Sequence, residues 1–317
     1  MSRILLTAIG SMAAAPAARR YQALGHTVFG CDIYPREWTA LAGELEFFQA
    51  RLATEGEPYV EQLKEAVRRN GLDFLIPLTD PEVDALAPRK AEFRALGCTV
   101  CVPEERVAAL CRRKDTMNRF LAEKQVCRLI PTEAAVPGQP CPFPFPVMVK
   151  PRSGRSSLGQ AVAADEKSYQ TALAGREDCI VQPFLEGDIF CVDVARDAFG
   201  HTRAAARQEL LRNKSGLGMT VEVLPGHPLE AVCAAIAEAV GLVGVVNMEF
   251  IRHGDDFFFL EVNPRFSGGV GFSMASGMDF AEMMLCCHSG GSVEAFPAAP
   301  KHALLARESA IVLTQLR

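Results

Sequence analysis

Glu249, Glu261, Asn263 and Arg265 fall within one stretch, Val245 to Gly269, whose sequence VVNMEFIRHGDDFFFLEVNPRFSGG alternates between apolar and polar residues. It reads as two strands joined by a tight turn at residues 253–256, where Gly and Asp supply the turn geometry. Folding about that turn sets Glu249 almost opposite Glu261, and side chains so opposed stand roughly 5 Å apart. Along the second strand Glu261, Asn263 and Arg265 recur at every second residue and share a face. Like charges held that close raise each other's pKa unless a cation intervenes. Oxygen donors in so small a set suit Mg²⁺, which keeps waters and takes substrate phosphates as further ligands. Arg265 would then meet a phosphate as a two-pronged donor. A surface hairpin with scattered charges would not gather four polar residues on one face between neighbours such as Val246, Phe250 and Val262.

Two earlier segments offer complementary chemistry. Lys150 ends the apolar strand VMVK directly ahead of PRSGRSSLG, a loop of small residues containing Ser153, Gly154, Ser156 and Ser157. Such a loop can lay backbone N–H groups against phosphate oxygens, and a lysine at its edge can reach them too, although the GxxxxGK[ST] spacing is absent. Lys114, upstream, is a second candidate cation. The strand Ile180–Leu185 places Gln182, Pro183, Phe184 and Leu185 where main-chain groups could read a purine edge between apolar side chains. Taken singly, the loop is an ordinary turn and the strand an ordinary core strand.

The totals exclude several classes. With 49% hydrophobic and 22% charged residues over 317 positions, the chain has enough apolar material for two or three compact units. A net charge of −5 gives no electrostatic reason to expect nucleic acid or an anionic membrane as partner. No apolar run approaches the ~20 residues of a membrane span. The opening MSRILLTAIGSMAAAPAARR reads as a first strand and helix rather than a secretion leader, so a cytoplasmic location is expected. Eleven cysteines in mostly apolar contexts read as buried reduced thiols. The CxxC at Cys98 and Cys101 has no second pair at zinc spacing, and the six histidines form no metal pattern.

Strand, glycine, helix and strand over residues 3–32 outline a nucleotide-binding βαβ unit with Asp32 at its end, but SMAAAP follows Gly10 where two further glycines would be needed. Further helices at 58–71 and 82–96 alternate with strands at 73–78 and 98–102, which argues for a small parallel sheet covered on both faces. A helix over 107–124 carries Lys114 mid-segment. Residues 131–146 are proline-rich, ending in CPFPFP, and belong to stiff extended chain. Strands at 147–150, 179–185 and 189–197, a pair around 202–224, a helix at 228–240, the hairpin, a helix at 278–288 and a strand near 303–313 complete the chain. The domains expected are 1–103, a βαβ unit; 104–178, a lid with its linking helix; and 179–317, a C-terminal catalytic part.

In order, Lys114, Lys150 with its small-residue loop, VQPFLEGD and NMEF…FLEVNPRFSGG resemble the ATP-grasp superfamily, nearest to its carbamoyl phosphate synthetase and biotin carboxylase branch and the allied single-chain amino-acid ligases. The likeness covers about residues 1–290. It implies an α/β fold of the α+β grasp type, with an N-terminal βαβ sheet ahead of a two-part ATP-grasp domain. It also implies that Lys114 and Lys150 bind ATP phosphates, that residues 182–185 hold adenine, and that Glu249, Glu261 and Asn263 hold Mg²⁺ (or Mn²⁺). Arg265, with Lys150, would serve the transferred phosphoryl group, and the loop 153–159 would close over the nucleotide. Two departures stand out. The adenine strand, often Glu-Lys in the family, is Gln182-Pro183 here, and the ribose-binding acid is displaced, with Asp188 beside the apolar Ile189.

The resemblance implies activation of a carboxylate as an acyl phosphate that an amine then attacks, so small-molecule carboxylate and amine substrates are the partners expected, with a homodimer allowed. A carbamoyl-phosphate-type synthase and a catalytically silent nucleotide sensor are the rival readings. Arg212, Lys214, Ser215 and Ser267-Gly268-Gly269 are candidates for holding a substrate carboxylate.

Overall fold

The computed structural model describes residues 1–154 and 158–315, arranged around three sheets. The first contains β1 (Arg3–Leu6), β2 (Thr27–Asp32), β3 (Glu46–Gln49), β4 (Phe74–Ile76) and β5 (Thr99–Val100), all parallel in the order β3-β2-β1-β4-β5. Helices α1 (Ala14–Ala23), α2 (Glu57–Asn70), α3 (Asp80–Leu86) and α4 (Lys90–Ala95) connect its strands. The helix expected over 82–96 is thus two short helices, with Pro88 between them removing a backbone donor. Glu82 accepts from the Thr79 backbone N–H at 3.0 Å and from its hydroxyl at 2.8 Å, which fixes the start of α3 and sets Asp80 in its first turn.

The single helix expected over 107–124 is interrupted. It forms α5 (Glu105–Arg112) and α6 (Lys114–Lys124), separated by an extended Arg113. The Lys114 N–H is donated to Arg152 O at 3.1 Å instead of continuing α5. This break moves Lys114 from mid-helix to the start of α6, against the strand that carries Lys150. After β6 (Arg128–Leu129), a four-stranded antiparallel sheet is built from β7 (Glu133–Ala135), β8 (Val147–Pro151), β9 (Ala161–Ala163) and, beyond α7 (Glu166–Leu173), β10 (Cys179–Pro183). Its order is β7-β10-β8-β9, and Val147, Val149, Val181, Tyr169 and Leu173 form a core of its own. By its pairing with β7 and β8, β10 belongs here, whereas the expected division at 178 assigns it to the C-terminal part.

The largest sheet follows: β11 (Asp188–Arg196), β12 (Thr202–Arg212), β13 (Gly218–Val223), β14 (Gly244–His253), β15 (Asp256–Asn263) and β16 (Ala303–Ala306), with β6 at its far edge. The final strand is shorter than the one expected near 303–313. Helices α8 (Pro228–Val240), α9 (Val270–Ala275) and α10 (Phe280–His288) complete the chain. Ile4, Leu6 and Tyr21 of the first unit share one core with Ala205, Val245, Phe280 and Met283. Full burial of such apolar side chains contributes roughly 1.5–3 kcal/mol each, so the shared core holds the first and last sheets together. No helix among the described residues is long and apolar enough to cross a membrane.

Candidate active site

The hairpin β14–β15 turns between His253 and Asp256, with Gly254 at φ +61°. A regular ladder from that turn would set Leu260 against Glu249. A bulge between the Glu249 and Phe250 pairings makes Leu260 the extra residue, and the partner of Glu249 becomes Glu261. Asn247 then pairs with Asn263, so two carboxylates and two amides share one face of the hairpin.

Lys114 reaches this face from α6, its Nζ 2.9 Å from Glu261 Oε2 and 3.4 Å from Gly154 O. Asn263 Nδ2 donates to Glu249 Oε1 at 3.2 Å and to Glu261 Oε1 at 3.5 Å. Arg212 Nη2 lies 3.9 Å from Glu249 Oε2, too far for a strong pair. The charge of Glu249 is therefore poorly compensated. Burial, then the like charge of Glu261, push its carboxyl up to about 7. Lys150 is buried on β8, and desolvation brings its ammonium down to about 8 even though Glu261 and Glu249 favour the charged form.

Lys150, Arg212, Glu249, Glu261 and Asn263 line a cleft of about 760 Å³ between the three sheets, while Lys114 stands outside its lining, paired to Glu261. One end is walled by Ile130, Met148, Leu185, Ile251 and Leu260; the other by Ser11, Met12, Asp80, Arg212, Leu217 and Ser267. Lys150, Glu249, Glu261, Asn263 and Arg265 lie between, and Gln182, Pro183 and Phe184 border the apolar end. The donor set is entirely oxygen, in two opposed carboxylates and an amide. It fits Mg²⁺ bound through one or two carboxylates plus phosphate oxygens, and suits a soft metal poorly. A cation between Glu249 and Glu261 would relieve the repulsion that raises the Glu249 pKa.

Several expected residues stand differently. Arg265 lines the cleft, but both its prongs are on Asp80: Nε to Oδ1 at 3.0 Å and Nη2 to Oδ2 at 2.9 Å. Asp188 does not reach the cleft. Adjacent strand residues face opposite ways, and since Ile189 lines the cleft Asp188 is directed outward, where it pairs with Arg252. The Gln182 amide donates to Thr132 Oγ1 at 2.6 Å, and the Phe184 N–H to Pro146 O at 3.0 Å, so both are committed within the protein. Ser153 and Gly154 sit at the root of the loop after β8, outside the lining of the cleft; Ser156 and Ser157 lie outside the described residues. Arg212, Ser215, Ser267 and Gly268 line the cleft; Lys214 and Gly269 do not. Sequence reasoning passed over Asp80, Thr132, Gln160 and Glu186. Only Asp80 had a usable signal, the Thr-Asp-Pro-Glu of a helix start.

Residues 175–310 match the family model described as ATP-grasp in the biosynthetic pathway with Ter operon. A curated relative from Synechococcus sp. (strain CC9605), named formate-dependent phosphoribosylglycinamide formyltransferase, is 27% identical over 275 residues, covering 77% of this chain and 64% of its own length. The chain thus spans a little under two thirds of that relative. Among solved structures, a biotin carboxylase from Campylobacter jejuni superposes with a TM-score of 0.72 at 17% identity, covering 92% of this chain and 72% of the other. An L-amino acid ligase from Bacillus licheniformis does so with a TM-score of 0.70 at 14% identity, covering 92% and 74%. The resemblance stated from sequence and the mixed α/β architecture with several sheets are both borne out.

Proposed function

We propose that this chain, which carries the ATP-grasp fold, is an ATP- and Mg²⁺-dependent ligase that joins a carboxylate to an amine through an acyl phosphate. The observation carrying this reading is the opposed Glu249–Glu261 pair with Asn263, sharing one cleft with Lys150 and with Lys114 paired to Glu261. Glu249, Glu261 and Asn263 would hold Mg²⁺, which spreads the charge of a transferring phosphoryl group. Lys150 and Lys114 would grip ATP phosphates, and the apolar end of the cleft would take adenine, with residues 182–185 at its border. The four-stranded sheet, with Ser153 and Gly154 after β8, would close over the nucleotide and exclude water, to which an acyl phosphate is vulnerable.

In the first step a carboxylate oxygen attacks the γ-phosphorus and ADP leaves. In the second the amine nitrogen attacks the acyl carbon, inorganic phosphate leaves, and the amine loses a proton to solvent or a nearby base. Arg265 would turn from Asp80 to the phosphoryl group, a placement in which a guanidinium stabilises developing charge. The apolar Ile189 where the family's ribose acid is expected leaves ribose to other contacts, and Glu186 on the cleft wall is the nearest acid in the sequence able to supply one.

The name of the curated relative favours formate as one carboxylate to test, and the name of the Bacillus structure favours amino acids. ADP release should be followed over pairs of small carboxylates and amines, with hydroxylamine as a general trap. Carboxylate-dependent ADP release with hydroxamate formation supports the ligase. Release with bicarbonate and ammonia alone would select carbamoyl chemistry, and nucleotide binding without turnover in every mixture would leave a sensor.

A further inference from the structure

Beside the acidic residues of the hairpin, on the same face of the sheet, lies a buried ionic cluster that the chemistry above does not use. Arg207 on β12 is 1% exposed, and its Nη1 donates to Asp193 Oδ2 at 2.6 Å. Its Nε reaches Glu209 Oε1 at 3.3 Å and its Nη2 reaches Ser267 Oγ at 3.1 Å. Ser273 Oγ donates to the same Asp193 oxygen at 2.7 Å. An ion pair sunk this deep recovers its desolvation cost only with good geometry and further hydrogen bonds.

The free oxygen of Asp193 sets a direction. Asp193 Oδ2 accepts from Arg207 and Ser273, and its Oδ1 takes a hydrogen bond from Asn247 Nδ2 at 3.2 Å; Val192 O lies 3.4 Å from the same nitrogen. With its NH₂ committed to two acceptors, Asn247 must turn Oδ1 toward Asn263, whose Nδ2 stands 3.4 Å away. Asn263 Nδ2 thus has three acceptors in reach, Glu249 Oε1 at 3.2 Å, Asn247 Oδ1 at 3.4 Å and Glu261 Oε1 at 3.5 Å, and its Oδ1 points to the Arg265 side of the cleft, 3.4 Å from Arg265 Nη2. An amide free to flip would present oxygen or nitrogen indifferently. The two carboxylates favour the nitrogen-inward pose only while no cation occupies them; Asn247, set by the Asp193–Arg207 charge, favours it whether or not they are occupied.

We propose that the Arg207–Asp193 pair is a positioning device for the candidate Mg²⁺ site, fixing through Asn247 which atom of Asn263 faces the cleft. The inference rests on the nucleotide-site reading above. It is tested by calorimetric titration of Mg²⁺ into the full chain in the presence of ADP, for the parent, Asn247→Leu and Asp193→Asn. Asn247→Leu removes the relay at nearly constant volume and leaves the ion pair intact, so it remains informative if Asp193→Asn fails to fold. Residues that orient a metal ligand typically govern affinity by 10–100-fold. The half-saturating Mg²⁺ concentration should rise about tenfold or more in Asn247→Leu, while ADP affinity without metal stays within about twofold of the parent. A lower unfolding midpoint with unchanged Mg²⁺ affinity would assign the cluster to stability alone and overturn the proposal. If the parent itself takes up no Mg²⁺ with ADP, the nucleotide-site reading falls and the relay with it; if the parent binds and the variants bind equally, only the relay falls.

Discussion

Glu249 is pulled in two directions: it is half-buried against Glu261, yet cation binding needs it ionised. Its carboxyl, raised to about 7, binds a proton in the folded chain between pH 4.5 and 7 that the unfolded chain has already lost. Stability from this group is therefore fully present below about pH 4.5 and is lost as pH rises through 7. Melts without metal should show a decline across that window, and Glu249→Gln should flatten it; an unchanged slope in the variant would place the titration elsewhere. Lys150 has the opposite sign. With its pKa lowered to about 8, the unfolded chain holds the extra proton above pH 8, so stability without ligand should rise as pH goes from 8 toward 10. Lys150→Met should abolish that rise and lose nucleotide binding, both readable by melts with and without ADP. Glu249, Glu261 and Asn263 were legible because acids and amides at period-2 spacing inside an apolar hairpin must gather on one face, and Lys150 because it ends an apolar strand ahead of a small-residue loop. Asp193, Asn247 and Arg207 were not, since a polar residue in an apolar strand does not announce which neighbour it will meet.

Between elements, two junctions set the cleft. The Arg265–Asp80 pair ties the end of β15 to the start of α3, with the Asp80 side chain 4% exposed. Asp80→Ala leaves Arg265 beside the open cleft without its charged partner, so it should cost about 2 kcal/mol in a denaturant titration. Gly187 joins the connection after β10 to β14. A Cβ there would sit 1.8 Å from Arg252 O, a backbone atom that cannot swing away. Gly187→Ala should displace the border of the apolar end and weaken ADP binding about tenfold or more, roughly 1.4 kcal/mol by calorimetry. The hairpin was readable from its turn, but the bulge at Leu260 was not: its extra residue depends on the twist of the whole ladder. The break at Arg113 was hidden for a similar reason. Helix propensity favours continuity over 107–124, and a tertiary hydrogen bond from Lys114 N to Arg152 O overrides it.

At the scale of the whole molecule, alternating strands and helices made the parallel first sheet legible, although β3 escaped because only four residues with polar ends mark it. The assignment of β10 was unreadable, because a strand's partners are chosen by topology rather than by its own residues. The three sheets meet around one cleft, so a ligand that bridges them should stabilise them together. Mg²⁺ with ADP at about 100 times its dissociation constant should raise the unfolding free energy by about 2.7 kcal/mol. The most direct test of the nucleotide site is titration of ADP with and without Mg²⁺ into the parent and Glu261→Ala. Binding strengthened by Mg²⁺ in the parent, with that strengthening lost in the variant, is the result predicted. Equal, metal-independent binding by both would contradict it.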